Sequence, residues 1–257
     1  MGKDTTSLGD RMKGYENISR FFLAKRTPVI IRLDGKAFHT FTKGMKKPFD
    51  KIMQETMQET MLFLCENIQG CKLGYTQSDE ITLLLVDYDT YLTDAWFGNN
   101  VQKMASVSAS MATLAFNKIY REKVKELWYN EVEDEELKYC DTLWKKSNTA
   151  MFDSRVFSLS KEEVVNCFIW RQQDAVRNSI QSVAQSKFSP SQLEGVTMNQ
   201  AQEKLFQEFG INWNDYPKTQ KRGSCAIKDA DGKWFIDQQI PTFTQDRNYI
   251  ERYVYLD

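Results

Sequence analysis

The spacing of apolar and polar positions changes several times along this chain, and each change marks an element. The run Val29-Ile30-Ile31-Arg32-Leu33-Asp34 is rich in β-branched residues, follows Pro28 and stops at Gly35, which predicts a strand over 28–34. Gly44 and Pro48 break the loop that leads on to Asp50. From about 50 to 69, Ile52, Met53, Thr56, Met57, Thr60, Met61 and Leu64 recur on one side at helical spacing. Asp50 stands where a cap belongs and Gly70 where the helix must end. Leu73–Tyr75 and Glu80–Val86 read as the strands of a hairpin with its tip near Thr76-Gln77-Ser78. The second of them is apolar on both faces, as a central strand is. A helix is predicted from about 97 to 120, where Ala105, Ser106, Ser108, Ala109, Ser110 and Ala112 leave room for close approach to a sheet. Residues 121–150 are polar and charge-rich and read as a solvent-facing insertion, and Phe152–Phe157 reads as a further strand.

The order β-α-β-β-α-β is that of a ferredoxin-like split unit, so the predicted class is α+β. In that topology the first strand and the central hairpin lie side by side. The remainder is mostly helical. Residues 161–186 open with Glu162-Glu163, which suits a helix dipole. Thr197-Met198-Asn199-Gln200 has the form of a capping box opening a helix that ends near Gly210. From 219 onward polar and apolar residues alternate around Asp231-Gly232, a hairpin signal. The chain divides on this reading into a catalytic part, 1–160, carrying the insertion near 121–150, and a helical and hairpin part, 161–257, packed on it.

Composition narrows the class of protein. The 257 residues are 41% hydrophobic and 13% aromatic, enough for a sizeable core. No apolar run approaches the ~20 residues of a membrane helix, and the N-terminus lacks a signal-peptide core. Gly2 with Thr6 matches the bare myristoylation pattern, which is short enough that most matches are fortuitous. Cys65, Cys71, Cys140, Cys167 and Cys225 are scattered without a CxxC pair, which points to reduced thiols and a cytoplasmic setting with no membrane partner. His39 is the single histidine, which argues against a zinc site built on histidines, and there is no G-x-S-x-G for a serine nucleophile. The net charge of −1 excludes a generically basic nucleic-acid coat. Charge is uneven, however: Glu131, Glu133, Asp134, Glu135 and Glu136 form an acidic block, while Lys43, Lys46 and Lys47, and again Lys218, Lys221 and Arg222, form basic clusters. Such clusters are solvated faces or phosphate sites.

The candidate chemistry sits at two acidic strand ends, Asp34 and Asp79–Glu80. A carboxylate at the edge of an apolar strand costs desolvation unless it is paired, and two brought together repel unless a cation lies between them. Mg²⁺ suits hard oxygen ligands and keeps substrate phosphates in its shell. The pattern therefore points to metal-assisted phosphoryl or nucleotidyl transfer. An Asp before Gly at a strand end is also a common turn element.

The block Arg32-Leu33-Asp34-Gly35-Lys36-Ala37-Phe38-His39 resembles the tRNA-His guanylyltransferase family, including its guanylyltransferase-like members. The resemblance continues at Lys47-Pro48, at Gly74-Tyr75-Thr76-Gln77-Ser78-Asp79-Glu80, at Phe152-Asp153-Ser154-Arg155-Val156 and at Trp170-Arg171-Gln172-Gln173-Asp174, in family order over about residues 7–225. It implies a polymerase-like palm with a helical C-terminal part. It implies addition of a nucleotide to the 5′ end of an RNA, in which the 3′-hydroxyl of a nucleoside triphosphate attacks an activated 5′ end. ATP activates a 5′-monophosphate, and a 5′-triphosphate needs no such step. Two Mg²⁺ ions, ATP and GTP or another nucleoside triphosphate, a tRNA substrate and a homotetramer are the expected partners.

On the same resemblance Asp34 and Asp79 are metal ligands, joined by the Gly35 carbonyl, with Glu80 in a supporting catalytic place. Glu80, next to Asp79, is expected on the opposite strand face. The backbone amides of Gly35, Lys36, Ala37, Phe38 and His39 are expected to cradle the triphosphate, with Lys47 as a point charge and Ser78 nearby. His39 has two readings, substrate contact or local hydrogen bonding. Lys103 is either a phosphate contact or a solvated lysine. Arg155 and Arg171 either meet RNA or pair with Asp153 and Asp174. The chain departs from the family at Val176-Arg177-Asn178, where eukaryotic tRNA-His enzymes carry a His-Ile-Asn stretch tied to the anticodon. This favours the branch that repairs tRNA 5′ ends on a template strand, with Arg177 as a phosphate contact. The competing readings are a palm-type nucleotidyl cyclase or other nucleotidyltransferase, and a non-catalytic RNA-binding module, against which the intact Asp34, Asp79 and Lys47 argue.

Overall fold

A computed structural model describes residues 6–130 and 134–255, the side chain of Glu135 excepted. Gly2 of the N-terminal pattern and Glu131 and Glu133 of the acidic block lie outside the described residues. In chain order the elements are α1 (Leu8–Ile18), β1 (Val29–Gly35), α2 (Phe38–Phe41), α3 (Lys51–Asn67), β2 (Cys71–Gln77), β3 (Glu80–Leu85), α4 (Val101–Asn130), α5 (Asp134–Trp144) and β4 (Phe152–Ser158). They continue with α6 (Lys161–Gln185), α7 (Pro190–Leu193), α8 (Met198–Phe209), α9 (Lys218–Arg222), β5 (Ser224–Lys228), β6 (Trp234–Asp237) and α10 (Asn248–Glu251). The first two strand-helix units give the predicted β-α-β-β-α-β order.

The sheet runs β4-β1-β3-β2-β5-β6, every pair antiparallel. Its first four strands are the split unit, with β3 inserted between β1 and β2. The alternation of β1 explains why it is apolar throughout. Val29, Ile31 and Leu33 enter the core against α3 and α4, whereas Ile30 enters a second core against α6. Arg32 and Asp34, two and four residues on, share the face of Ile30.

The helices follow their sequence signals closely. Asp50 caps α3, accepting from the Met53 amide at 3.1 Å. The small-residue stretch of α4 does lie close on the sheet: Ser108 and Ala112 are fully buried, and the Ser108 and Ser154 hydroxyls meet at 2.8 Å. Thr113 accepts from the Phe152 amide and Asn117 from the Ala150 amide, both at 3.1 Å, so this part of α4 lies at the Gly35 end of the sheet. The capping box at Thr197 is made in both directions.

Two expectations change. Helix α4 runs ten residues past 120, to Asn130, and the region read as solvent-facing carries core residues: Val124, Cys140 and Leu143 are fully buried. The tip of the central hairpin is Ser78-Asp79, because Gln77 already pairs with Glu80. Asp79 is therefore a turn residue, and Ser78 takes a positive φ of 51°.

The C-terminal hairpin adds β5 to β2, which brings Gly223 against the palm. Its φ is +80°, and a Cβ there would stand 2.2 Å from the Thr76 carbonyl oxygen and 3.0 Å from the Tyr75 ring. Gly223→Ala is expected to cost about 2–3 kcal/mol, because the backbone strain and the contact with a fixed carbonyl add. Urea denaturation of the two proteins checks this, and equal midpoints would exclude it.

Candidate active site at the end of the central strands

Asp34 ends the apolar run of β1 and lies directly opposite Glu80 on β3 and Asp153 on β4. Directly paired residues of antiparallel strands point to one face, so three carboxylates cross the sheet in a row on the α6 side. Glu80 thus shares the face of Asp34. Glu80 begins the strand and turns to Arg171, whereas Asp79 belongs to the turn and lines the cleft. The Asp79 carbonyl accepts from the Gly35 amide at 3.0 Å, which locks this turn to the end of β1.

The electrostatics are strained in the way such crowding demands. The Asp34 carboxyl is raised above its ordinary value by burial and then by Asp153, against the pull of Arg155, Arg32 and Arg171. Burial also raises Asp79, a hydrogen bond with Ser78 opposes that, and the charge of Asp34 adds to it. The charge of Asp34 is therefore felt at Asp79. Glu80 is raised by burial against the pull of Arg171. Its carboxylate accepts from Arg171 at 2.7 Å, and both side chains are under 10% exposed. Arg171 also reaches Asp174 at 3.3 Å, and Asp174 accepts from Arg177 at 2.7 Å.

Beside the Ser78–Asp79 turn opens a cleft of about 610 Å³. Phe38, His39, Lys47, Ser78 and Asp79 all line it, and α6 contributes Asn178 and Ser179. The structure thus brings five of the sequence-predicted residues to one concave surface. Lys46, on the same wall, is engaged by Glu136 at 2.7 Å, whereas Lys47 makes no ion pair among the described residues.

The proposed amide cradle is smaller than expected. The Gly35 amide is taken by Asp79 and that of Lys36 by the Met151 carbonyl at 2.9 Å, which leaves Ala37, Phe38 and His39. Gly35 has a packing reason to lack a side chain as well as a chemical one. A Cβ would stand 2.3 Å from the Phe38 ring, itself fixed among Phe41, Phe116 and Phe152. His39 is exposed, and its Nε2 hydrogen-bonds the Thr40 hydroxyl at 3.0 Å.

Other candidates stand elsewhere. Lys103 is not brought to the cleft. It precedes Thr113 by ten residues, roughly 15 Å along α4, and points away from the Gly35 end with its ammonium over the Phe97 ring. Arg171 is turned inward by Glu80 and does not present itself to RNA at the surface. Arg155 is exposed and only loosely paired with Asp153 at 3.9 Å, and Arg177 is exposed beside Asp174. Sequence reasoning missed Asp153 as a neighbour of Asp34, since that neighbourhood depends on strand register. It also passed over Trp170, although its exposure beside Arg32 brings an aromatic ring near the same carboxylate.

Among the described residues no group of three or more His, Cys, Asp or Glu is arranged to hold a metal ion. Asp34 and Asp79 form a two-carboxylate arrangement instead. That donor set fits Mg²⁺, which is bound through one or two carboxylates and keeps waters and substrate phosphates for the rest.

This chain is similar to known proteins. The family model for tRNAHis guanylyltransferase matches residues 9–160, more than half of the chain and all of the residues from Asp34 to Asp153. A solved bacterial tRNA(His) guanylyltransferase-like protein in complex with ATP is 47% identical, with 98% of this chain and 100% of that chain covered and a TM-score of 0.87. Such a protein in complex with GTP is 44% identical, with coverage of 97% and 100% and a TM-score of 0.76. An uncharacterized protein of Acanthamoeba polyphaga mimivirus is 30% identical over 231 residues, 86% of this chain and 77% of its own length. The paired carboxylates, the turn that holds them and the ordered motifs around them have one common explanation: this chain belongs to the tRNA(His) guanylyltransferase family of nucleotidyltransferases.

Proposed function

We propose that this protein adds nucleotides in the 3′–5′ direction to the 5′ end of tRNA, directed by the opposite strand and dependent on Mg²⁺. The observation that carries the reading is the position of Asp79. It is locked to the end of β1 beside Asp34 and opens on a cleft of nucleotide size. The ATP and GTP complexes of bacterial relatives support nucleoside triphosphates as occupants of such a fold. Val176-Arg177-Asn178, in place of the anticodon-linked histidine stretch, supports end repair over strict selection of tRNA-His.

Asp34 and Asp79, with the Gly35 carbonyl, would hold the metal, which when bound supplies positive charge against the phosphates and acidifies the attacking hydroxyl. Lys47 and the free amides of Ala37, Phe38 and His39 hold the triphosphate. The nucleotide 3′-hydroxyl then attacks the 5′ phosphorus of the RNA. A phosphodiester bond forms, and the bond to AMP or pyrophosphate breaks. Arg177, exposed on α6 next to the cleft residue Asn178, meets an RNA phosphate. A homotetramer belongs to the same reading, supported by Leu8, Met12, Tyr15 and Ile18, which lie exposed at helical spacing on α1. So does a cytoplasmic setting.

The test is incubation of the protein with a 5′-truncated tRNA, ATP, GTP and Mg²⁺. Extension of the 5′ end by template-matched nucleotides is expected, and EDTA stops it. Cyclic nucleotide formed without RNA, or RNA binding with no turnover, would replace this reading by one of its competitors.

A further inference from the structure

Asp34 does not line the cleft, and its side chain is reached from the α6 face of the sheet. Helix α6 covers Ile30, Leu73 and Leu84 with Val164, Val165 and Phe168, but Asp153 and Arg155 on the edge strand β4 stay exposed. There the paired residues Arg32 and Arg155, and then Asp34 and Asp153, floor a shallow strip across β1 and β4. Trp170 forms its wall and is 47% exposed. The Arg171 guanidinium lies 3.7 Å from the Trp170 ring centroid and is held there by Glu80 and Asp174. Arg32 stands over the ring at 5.4 Å and makes no ion pair among the described residues, so it is free to leave the ring for a phosphate. Arg155 is exposed at the rim.

An exposed aromatic ring with arginines along one track is the equipment of single-strand nucleic-acid sites, where bases stack and cations follow the backbone. The cleft at Asp79, of about 610 Å³, is the place given above to the nucleoside triphosphate. A strip this open suits a strand and not a small molecule. We propose that the strip receives the 5′-terminal nucleotide of the RNA, with its base stacked on Trp170 and its phosphates on Arg32 and Arg155. This rests on the function proposed above. The RNA end then lies at Asp34 and the incoming nucleotide in the cleft at Asp79.

The test uses tRNA carrying 2-aminopurine as its 5′-terminal base, whose fluorescence falls on stacking. Wild-type protein is expected to quench it. Trp170→Ala should abolish the quenching and weaken RNA binding by about 5- to 100-fold, while GTP binding stays unchanged. Trp170→Phe keeps a stacking face and should restore quenching, which separates lost stacking from lost folding. Arg155→Ala should reduce the salt slope of RNA binding by about 0.7. Undiminished quenching by Trp170→Ala would overturn the proposal. So would a loss that falls on ATP or GTP binding as heavily as on RNA. Quenching by a wild-type protein that extends nothing supports the strip and overturns the proposed function.

Discussion

Asp79→Asn removes nucleotide addition, by about 10³-fold or more, and at the same time raises the thermal midpoint of the magnesium-free protein. The two effects have one cause. Burial raises the carboxyls of Asp34 and Asp79, Asp34 raises Asp79 further, and Asp153 raises Asp34. A carboxyl raised in the folded state favours folding when protonated. That stability is fully present below the ordinary value of 3.8 and is lost as pH rises through the folded values. Above the folded values each charge is a net cost to the fold. Asparagine keeps the shape of the turn and removes the charge, so the fold relaxes while the chemistry stops. Mg²⁺ should raise the midpoint of the wild type and leave that of Asp79→Asn in place. Thermal scans between pH 5 and pH 8, with EDTA or Mg²⁺, together with single-turnover extension assays, check both halves. A variant that melts at or below the wild-type temperature in EDTA at neutral pH would show that the carboxylates are not in conflict.

Arg171→Met lowers stability by about 3–5 kcal/mol, because it leaves Glu80 charged, buried and unpaired. For a chain of this length that corresponds to a fall in midpoint of roughly 10 °C. Glu80→Leu combined with Arg171→Met should recover most of the loss, since apolar residues of similar volume replace a buried ion pair at little cost. Activity should not recover with it, because Glu80 lies directly opposite Asp34 and its charge helps set the field there. Chemical denaturation of the wild type, both single variants and the double variant gives the coupling energy. If the double variant is no more stable than Arg171→Met, the pair is not what holds α6 to β3.

The parts of the fold with strong periodicity were legible in the sequence. Strand β1 alternates between two buried cores, α3 carries a Met- and Thr-rich stripe at helical spacing behind its Asp50 cap, and Thr197 and Gln200 announce their own helix. The continuation of α4 was hidden because Tyr120 and Val124 are the only fully buried residues among many charges there. The hairpin tip was misplaced because polarity at Thr76 and Gln77 imitates a turn, although both residues stay in the strand. In the site, Asp34 and Asp79 stood out as charges that an apolar strand has no structural use for. The partner of Arg171 did not stand out, since Glu80 is 91 residues away and nothing local distinguishes it from Asp174. Nor did the place of Lys103, because a residue's distance from the site depends on which way its helix runs over the sheet.

The addition of β5 to β2 has a consequence for how the chain comes together. Thr76 pairs with Ser224, and Gly74 with Ala226, across about 150 residues of sequence. Until those last strands are made, β2 is an open edge of the palm, a template for wrong pairing. Contacts of that span are slow to form, because so much chain must first be closed into a loop. A ribosome that has finished Asp34 and Asp79 has therefore not finished their support, and the growing palm depends on protection of β2 until its own tail arrives.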